Sequence, residues 1–168
     1  MSKENPSVVS GRSRSVDVAR FESFLDRATD EVFSTMMGVG CSPAQSESGT
    51  GQGTLSAVIG LAGALSGSLV LQTSGEAAMR IAERMMGTAP DEVDAMVRDA
   101  IGEVCNMVAG AWKGFDPALA SGCLLSTPTV VAGTSYELFS QRAPVRIERS
   151  YRFEKMTFVI TLSCELYA

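Results

Sequence analysis

The sequence contains no histidine. Imidazole is the side chain that most often acts as a general base near neutral pH, and it is a common zinc ligand. Its absence excludes Ser-His-Asp and Cys-His nucleophilic sites, His-ligated zinc and phosphohistidine relays. Any chemistry must therefore use carboxylates, amides, hydroxyls, thiols, lysines or the groups of a partner.

Basic side chains are also scarce, with 14 Lys and Arg against 19 Asp and Glu, for a net charge of −5. Residues 1–15 carry three of the basic side chains and one acidic side chain, so the rest of the chain has a net charge of −7. Binding to a phosphate backbone needs clustered Lys and Arg. We therefore expect no nucleic-acid partner.

The four cysteines form no C-x-x-C pair: Cys41, Cys105, Cys123 and Cys164. The first 20 residues are polar and charged, without the apolar core of a signal peptide. Both features favour a cytoplasmic protein with reduced cysteines.

A long uncharged run covers residues 48–75, but Gly, Ser, Thr and Gln interrupt it throughout. A membrane-spanning helix needs about 20 predominantly apolar residues. The alternation of Leu55, Ala57 and Ile59, and of Leu69 and Leu71, favours two strands joined around residues 61–66. We therefore expect no membrane segment.

The length of 168 residues is typical of one globular domain. We predict a disordered N-terminal tail over residues 1–15 and a single domain over residues 16–168. Hydrophobic periodicity predicts three principal helices, at residues 17–37, 75–87 and 90–112, and strands elsewhere. The strands include SYELFSQ at residues 135–141 and a final hairpin that turns at Glu154 and Lys155. The predicted fold class is α/β (α+β), with about three helices packed on an antiparallel sheet.

An internal similarity at an offset of 72 residues indicates a duplicated helix–strand unit. Residues 28–38 read ATDEVFSTMMG and residues 100–110 read AIGEVCNMVAG, with Ala, Glu, Val and the final Gly in common. Where the second copy has Asn106, the first has Ser34.

Polar residues and glycines share one narrow side of the helix predicted at 90–112: Asp99, Glu103, Asn106, Gly110 and Lys113, with Gly102 beside them. A solvated helix face explains the charges, but each exposed mid-helix Gly costs about 1 kcal/mol relative to Ala. The glycines therefore suggest a surface kept flat for the approach of another backbone. Helix geometry alone leaves both interpretations open.

The spacing Asp99-x3-Glu103-x2-Asn106-x21-Pro128 resembles the D/S-x3-E-x2-N-x21-P signature of the CheC/CheX/FliY family of chemotaxis phosphatases. The surrounding residues, DAIGEVCNMVAGAWK and LSTPTVVAG, are most similar to the CheX branch. The resemblance extends from about residue 17 onward and implies a CheC-like fold.

The resemblance implies hydrolysis of the aspartyl phosphate on a CheY-like receiver, into whose site the phosphatase inserts its helix. Asn106 would orient the attacking water and Glu103 would pair with the receiver's lysine. The implied contacts with the receiver come from five further residues: Asp99, Gly102, Gly110, Lys113 and Pro128.

The resemblance further implies no metal or cofactor held by this chain, Mg²⁺ bound by the receiver, and a homodimer joined through sheet edges. The first copy keeps Glu31 but has Ser34 in place of Asn, so only one site is expected. The alternative is a non-catalytic interaction domain that binds a receiver or a flagellar-switch protein.

Overall fold

The computed structural model describes residues 17–45, 55–133, 136 and 143–166. The predicted tail at 1–15 and most of the predicted strand at 135–141 lie outside these residues. The described helices are α1 (Val18–Met37), α2 (Gly75–Met86), α3 (Ala95–Gly114) and α4 (Pro117–Gly122). The strands are β1 (Ser42–Ala44), β2 (Leu55–Gly63), β3 (Leu65–Thr73), β4 (Cys123–Leu125), β5 (Thr129–Ala132), β6 (Val145–Phe153) and β7 (Met156–Leu166).

Helices α1 and α2 begin and end close to the predicted bounds because the sequence carries their capping residues. The Asp17 side chain accepts from the Arg20 N–H at the start of α1, and the Ser74 side chain accepts from the Ala77 N–H at the start of α2. Both helices end at glycines in the left-handed region, where a side chain would strain the backbone.

The strands form one antiparallel sheet in the order β1-β6-β7-β3-β2-β4, and β5 also pairs with β2. Strands β4 and β5 therefore share one side of β2, with β4 opposite residues 61–63 and β5 opposite residues 55–58. The two hairpins, β2–β3 and β6–β7, pair through β3 and β7 at the centre of the sheet.

This order supports the duplication that the internal similarity predicts. Each half has a 20-residue helix and a hairpin, with one short edge strand in the first half and two in the second. Each edge strand pairs with the first hairpin strand of the other half: β1 with β6, and β4 and β5 with β2. The two halves are therefore interlocked in one sheet.

The core lies between the helices and one face of the sheet, where apolar side chains of every second strand position meet the buried stripes of the helices. The start of α1 lies against the end of α3, where the rings of Phe21 and Trp112 pack edge to face with their centroids 5.2 Å apart. The Trp112 indole N–H donates to the Phe21 carbonyl. These contacts fix α3 against α1 along a face that is opposite the predicted polar row.

Two details of the prediction were wrong. The third helix begins at Ala95 and not at Pro90, because the Asp94 side chain accepts from the Val97 N–H and caps it there. The segment after it contains the short helix α4, which was expected to be strand. Asp116 caps α4 by accepting from Ala118 N–H and Leu119 N–H.

No helix in the described part of the chain is long and apolar enough to span a membrane. The uncharged run at residues 48–75 contributes β2 and β3 where the structure describes it, as its alternating apolar positions predicted.

Candidate functional site

Helix α3 is held on most of its circumference by the rest of the domain. It contacts α1, α2 and α4 as well as β2, β3, β4 and β5. Its buried residues are Val97, Ala100, Ile101, Gly102, Val104, Cys105, Val108, Ala109 and Trp112. A helix packed in this way is a rigid support for side chains on its remaining face.

The remaining face carries the predicted polar row. Asp99 and Glu103 are exposed, and Asn106 and Gly110 are half-buried. Residues three apart on a helix have Cβ atoms about 5–6 Å apart, so the Glu103 carboxylate and the Asn106 carboxamide project as a pair. None of the three polar side chains forms a hydrogen bond or ion pair with a described residue. Their hydrogen-bonding groups are therefore available to a partner.

Gly102 differs from the expectation. It is buried and not exposed beside the row. A Cβ placed on Gly102 would lie 3.3 Å from Val130 Cγ2 and 3.4 Å from Pro128 Cβ. The glycine therefore allows a close approach within the molecule, between α3 and the start of β5.

Pro128 itself is exposed and lies just before β5. Its contact with Gly102 brings the last element of the signature next to the helix that carries Glu103 and Asn106. The 21-residue spacing after Asn106 is the length of chain needed to complete α3, form α4 and β4, and return along the helix.

Lys113 is not a free cation at the end of the row. Its ammonium group donates to the Cys123 carbonyl at 2.7 Å and to the Ala120 carbonyl at 3.2 Å. Lys113 therefore ties the last turn of α3 to the end of α4 and the start of β4.

Helix α1 offers no second site of the same kind. Ser34 occupies the position that corresponds to Asn106, and its hydroxyl donates to Asp30 at 3.4 Å. Asp30, at the position of Gly102, accepts from the Cys41 N–H at 3.0 Å and so holds the segment between α1 and β1. At the positions of Gly102 and Asn106, this half therefore has polar residues with partners inside the molecule.

Metal ligation and thiol chemistry have no support among the described residues. These residues contain no group of three or more His, Cys, Asp or Glu that could hold a metal ion. All four cysteines are free and buried. Burial raises the pKa of Cys105 to about 12, which keeps its thiol protonated and a poor nucleophile. The row on α3 offers two carboxylates, of Asp99 and Glu103, and the Asn106 carboxamide.

Sequence reasoning missed Val130 and Ser126, which shape the segment beside α3. Ser126 pairs with Gly60 of β2, and its side chain accepts from the Gly60 N–H at 2.8 Å. Neither residue carries a motif. Only the pairing of β5 with β2 places Val130 next to the helix.

Comparison with known proteins agrees with the signature. Residues 55–148, more than half of the chain, match the family described as chemotaxis phosphatase CheX. The chain belongs to the CheX family. This confirms the resemblance to the CheX branch that the spacing around Glu103 and Asn106 indicated.

A curated relative, the CheY-P phosphatase CheX of Thermotoga maritima, is 34% identical over 88 residues. The match covers 52% of this chain and 57% of that relative, so the chain spans little more than half of the relative's length.

Solved CheX structures share the fold. CheX from Vibrio vulnificus superposes with a TM-score of 0.78 at 24% identity, over 90% of this chain and 100% of that one. The CheX-CheY-BeF3-Mg²⁺ complex from Borrelia burgdorferi matches with a TM-score of 0.68 at 20% identity, over 87% of this chain and 97% of that one. At these identities, the likeness confirms the predicted CheC-like fold.

Proposed function

We propose that this chain is a phosphatase that hydrolyses the aspartyl phosphate of a CheY-like receiver protein. One observation carries the proposal. Glu103 and Asn106 project together from the outer face of a firmly packed helix, and neither side chain has a partner among the described residues. The name of the Thermotoga relative, CheY-P phosphatase, supports the same activity.

Asn106 orients the attacking water in this proposal. Phosphoryl transfer needs an in-line nucleophile and stabilisation of charge, but little covalent chemistry from the protein. A carboxamide accepts and donates hydrogen bonds and does not titrate, so it can hold a water in one orientation at any physiological pH. Holding that water next to the phosphorus atom removes the entropy cost of bringing the two reactants together in the right orientation.

Glu103 pairs with the conserved lysine of the receiver. Its carboxylate has no cationic partner among the described residues. Lys113, on the same face, donates to two carbonyl groups. Pairing with a lysine of the receiver would fix the position of the helix in the receiver's site, so that Asn106 faces the phosphoryl group.

The receiver supplies the phosphoryl group and the Mg²⁺ ion. The Borrelia CheX complex contains CheY together with BeF3 and Mg²⁺, which fits a site completed by the partner. The described residues of this chain offer no cluster of metal ligands. A protein that lacks histidine can perform this chemistry because its own contribution is one amide and one carboxylate.

The surface around the pair supplies the rest of the receiver contact. Asp99 lies one turn before Glu103, and Gly110 lies one turn after Asn106. Pro128 is exposed beside the helix. For Lys113 and Gly102 we assign roles within the molecule, because the structure shows internal partners for both. The homodimer through sheet edges remains a prediction.

Turnover of a phosphorylated receiver tests the proposal. Wild type should accelerate loss of phosphate over the receiver's own rate. Asn106→Ala should lose about 10²-fold to 10³-fold in kcat, as when a preorganised hydrogen-bonding group is removed from another active site. Glu103→Ala should weaken the complex with the receiver as well. Glu31→Ala is the matched control, since Glu31 occupies the corresponding position on α1 and is exposed there.

Binding measured in parallel separates the two functions. An Asn106→Ala chain that binds the receiver normally but has lost turnover would support the water-orienting role. Binding by wild type without any acceleration would instead establish the non-catalytic interaction domain.

A further inference from the structure

Helix α3 approaches the edge of the sheet closely at Gly102, the residue before Glu103. A Cβ at Gly102 would lie 3.3 Å from Val130 Cγ2, and 3.4 Å from both Cβ and Cγ of Pro128. Carbon atoms in ordinary contact are about 3.5–4.0 Å apart. A side chain at residue 102 would therefore crowd this segment by a few tenths of an ångström.

The segment that faces Gly102 is itself fixed on β2. Ser126 and Gly60 exchange two hydrogen bonds, from Ser126 N–H to the Gly60 carbonyl at 2.9 Å and from Gly60 N–H to the Ser126 hydroxyl at 2.8 Å. Two residues after Pro128, Val130 pairs with Ala57 of the same strand. Pro128 and Val130 thus have little freedom to move away from the helix.

The contact at Gly102 is adjacent to Glu103 and Asn106 on the helix. Asn106 follows Gly102 by four residues, which places it about one turn along nearly the same line of the helix. Glu103 is the next residue in the chain. Any displacement of α3 at Gly102 is passed to both side chains, because a packed helix moves as a rigid element.

We infer that Gly102, Pro128 and Val130 are positioning residues, whose contact sets how far Glu103 and Asn106 reach into the receiver. The inference rests on the proposed phosphatase function. Catalytic groups must be held within about 0.5 Å of their productive positions. A misplacement of about 1 Å can lower the rate about 10²-fold, so a displacement of a few tenths of an ångström should lower it several-fold.

Stability and turnover respond differently to this contact. Replacing Gly102 by Ala brings a gain in helix propensity and a loss from crowding, which oppose each other in the free energy of unfolding. The displacement of Asn106 acts on turnover in one direction only. A purely structural role would make the change in turnover follow the change in stability.

The test is Gly102→Ala, with Gly114→Ala as the matched control. Gly114 lies in the same helix, and no described atom would come within 4 Å of a Cβ there. We expect Gly102→Ala to lower kcat about fivefold to tenfold, with KM and affinity for a BeF3-loaded receiver within twofold of wild type. Gly114→Ala should leave both kcat and KM unchanged.

Rescue distinguishes positioning from general damage. Val130→Ala removes the nearest atom, so Gly102→Ala/Val130→Ala should recover kcat to within twofold of Val130→Ala alone. If Gly102→Ala alone fails to fold, the comparison of the double variant with Val130→Ala still tests the inference. Unchanged kcat in Gly102→Ala, a loss that Val130→Ala does not relieve, or a rise in KM alone would overturn the inference. A wild type without turnover would overturn the proposed function as well, whereas an active wild type isolates the positioning claim.

Discussion

Gly110 is the position where we expect function and stability to conflict most clearly. It lies within α3, one turn after Asn106, and no described atom would come within 4 Å of a Cβ added there. Gly in a helix interior costs about 1 kcal/mol relative to Ala. Since a methyl group there would have no described atom within 4 Å, Gly110→Ala should raise the free energy of unfolding by about that amount.

Thermal unfolding measures the gain. For a chain of 150–250 residues, 1 kcal/mol corresponds to about 2–4 °C in Tm. Gly114→Ala is at the last residue of the same helix, where helix propensity matters less, and should change Tm by a smaller amount. Chemical unfolding in urea gives the same comparison as a free energy.

Receiver binding should change in the opposite direction. If the flat surface at Gly110 admits the receiver's backbone, an added methyl group crowds that contact, and overpacking typically costs about 1–3 kcal/mol. We therefore expect KM and the Kd for a BeF3-loaded receiver to rise on the order of tenfold or more, since 1.4 kcal/mol is a factor of ten. A Gly110→Ala chain that is more stable and binds the receiver as wild type does would refute this role. A less stable one would contradict the open space at Gly110.

Two further predictions concern the network around the sheet. Asp26 accepts hydrogen bonds from Arg149 at 2.6 and 3.1 Å and from the buried Tyr151 hydroxyl at 2.8 Å. Asp26→Ala should therefore lower the free energy of unfolding by about 2 kcal/mol, which corresponds to a fall in Tm of about 4–8 °C. A change in Tm within experimental error would contradict this prediction. Hydrogen bonds from Arg80 and Arg84 lower the pKa of Glu154 to about 2. The contribution of Glu154 to stability is therefore present above about pH 4.5 and is lost as the pH falls toward 2. Urea midpoints at pH 5 and pH 3 should therefore fall more in wild type than in Glu154→Gln, and equal falls would exclude this linkage.

The sequence was sufficient to predict the elements whose determinants are local. The caps Asp17, Ser74, Gly38 and Gly87 bound α1 and α2 near their predicted ends. The final hairpin turns at Glu154 and Lys155 as expected, because alternating apolar positions set its register. The row on α3 was predictable since its spacing depends only on helix geometry and on the family signature.

The remaining features depend on contacts that a helical wheel does not contain. Gly102 lies beside the polar row in angle, but the β5 segment returns along that side of α3 and buries it. The sequence predicts Lys113 as a charged surface residue, but α4 and β4 bring two carbonyl groups to its ammonium group. Helix α4 is too short for periodicity to reveal, although Asp116 followed by Pro117 is a typical helix start and could have indicated it.

The measurement that tests the central claim most directly is phosphate release from a phosphorylated receiver of the source organism, with this chain present in substoichiometric amount. We expect many turnovers per chain, a rate proportional to chain concentration, and loss of that rate in Asn106→Ala while Glu31→Ala retains it. Release at the receiver's own rate, whatever the concentration of wild-type chain, would show that the chain is not a phosphatase for that receiver.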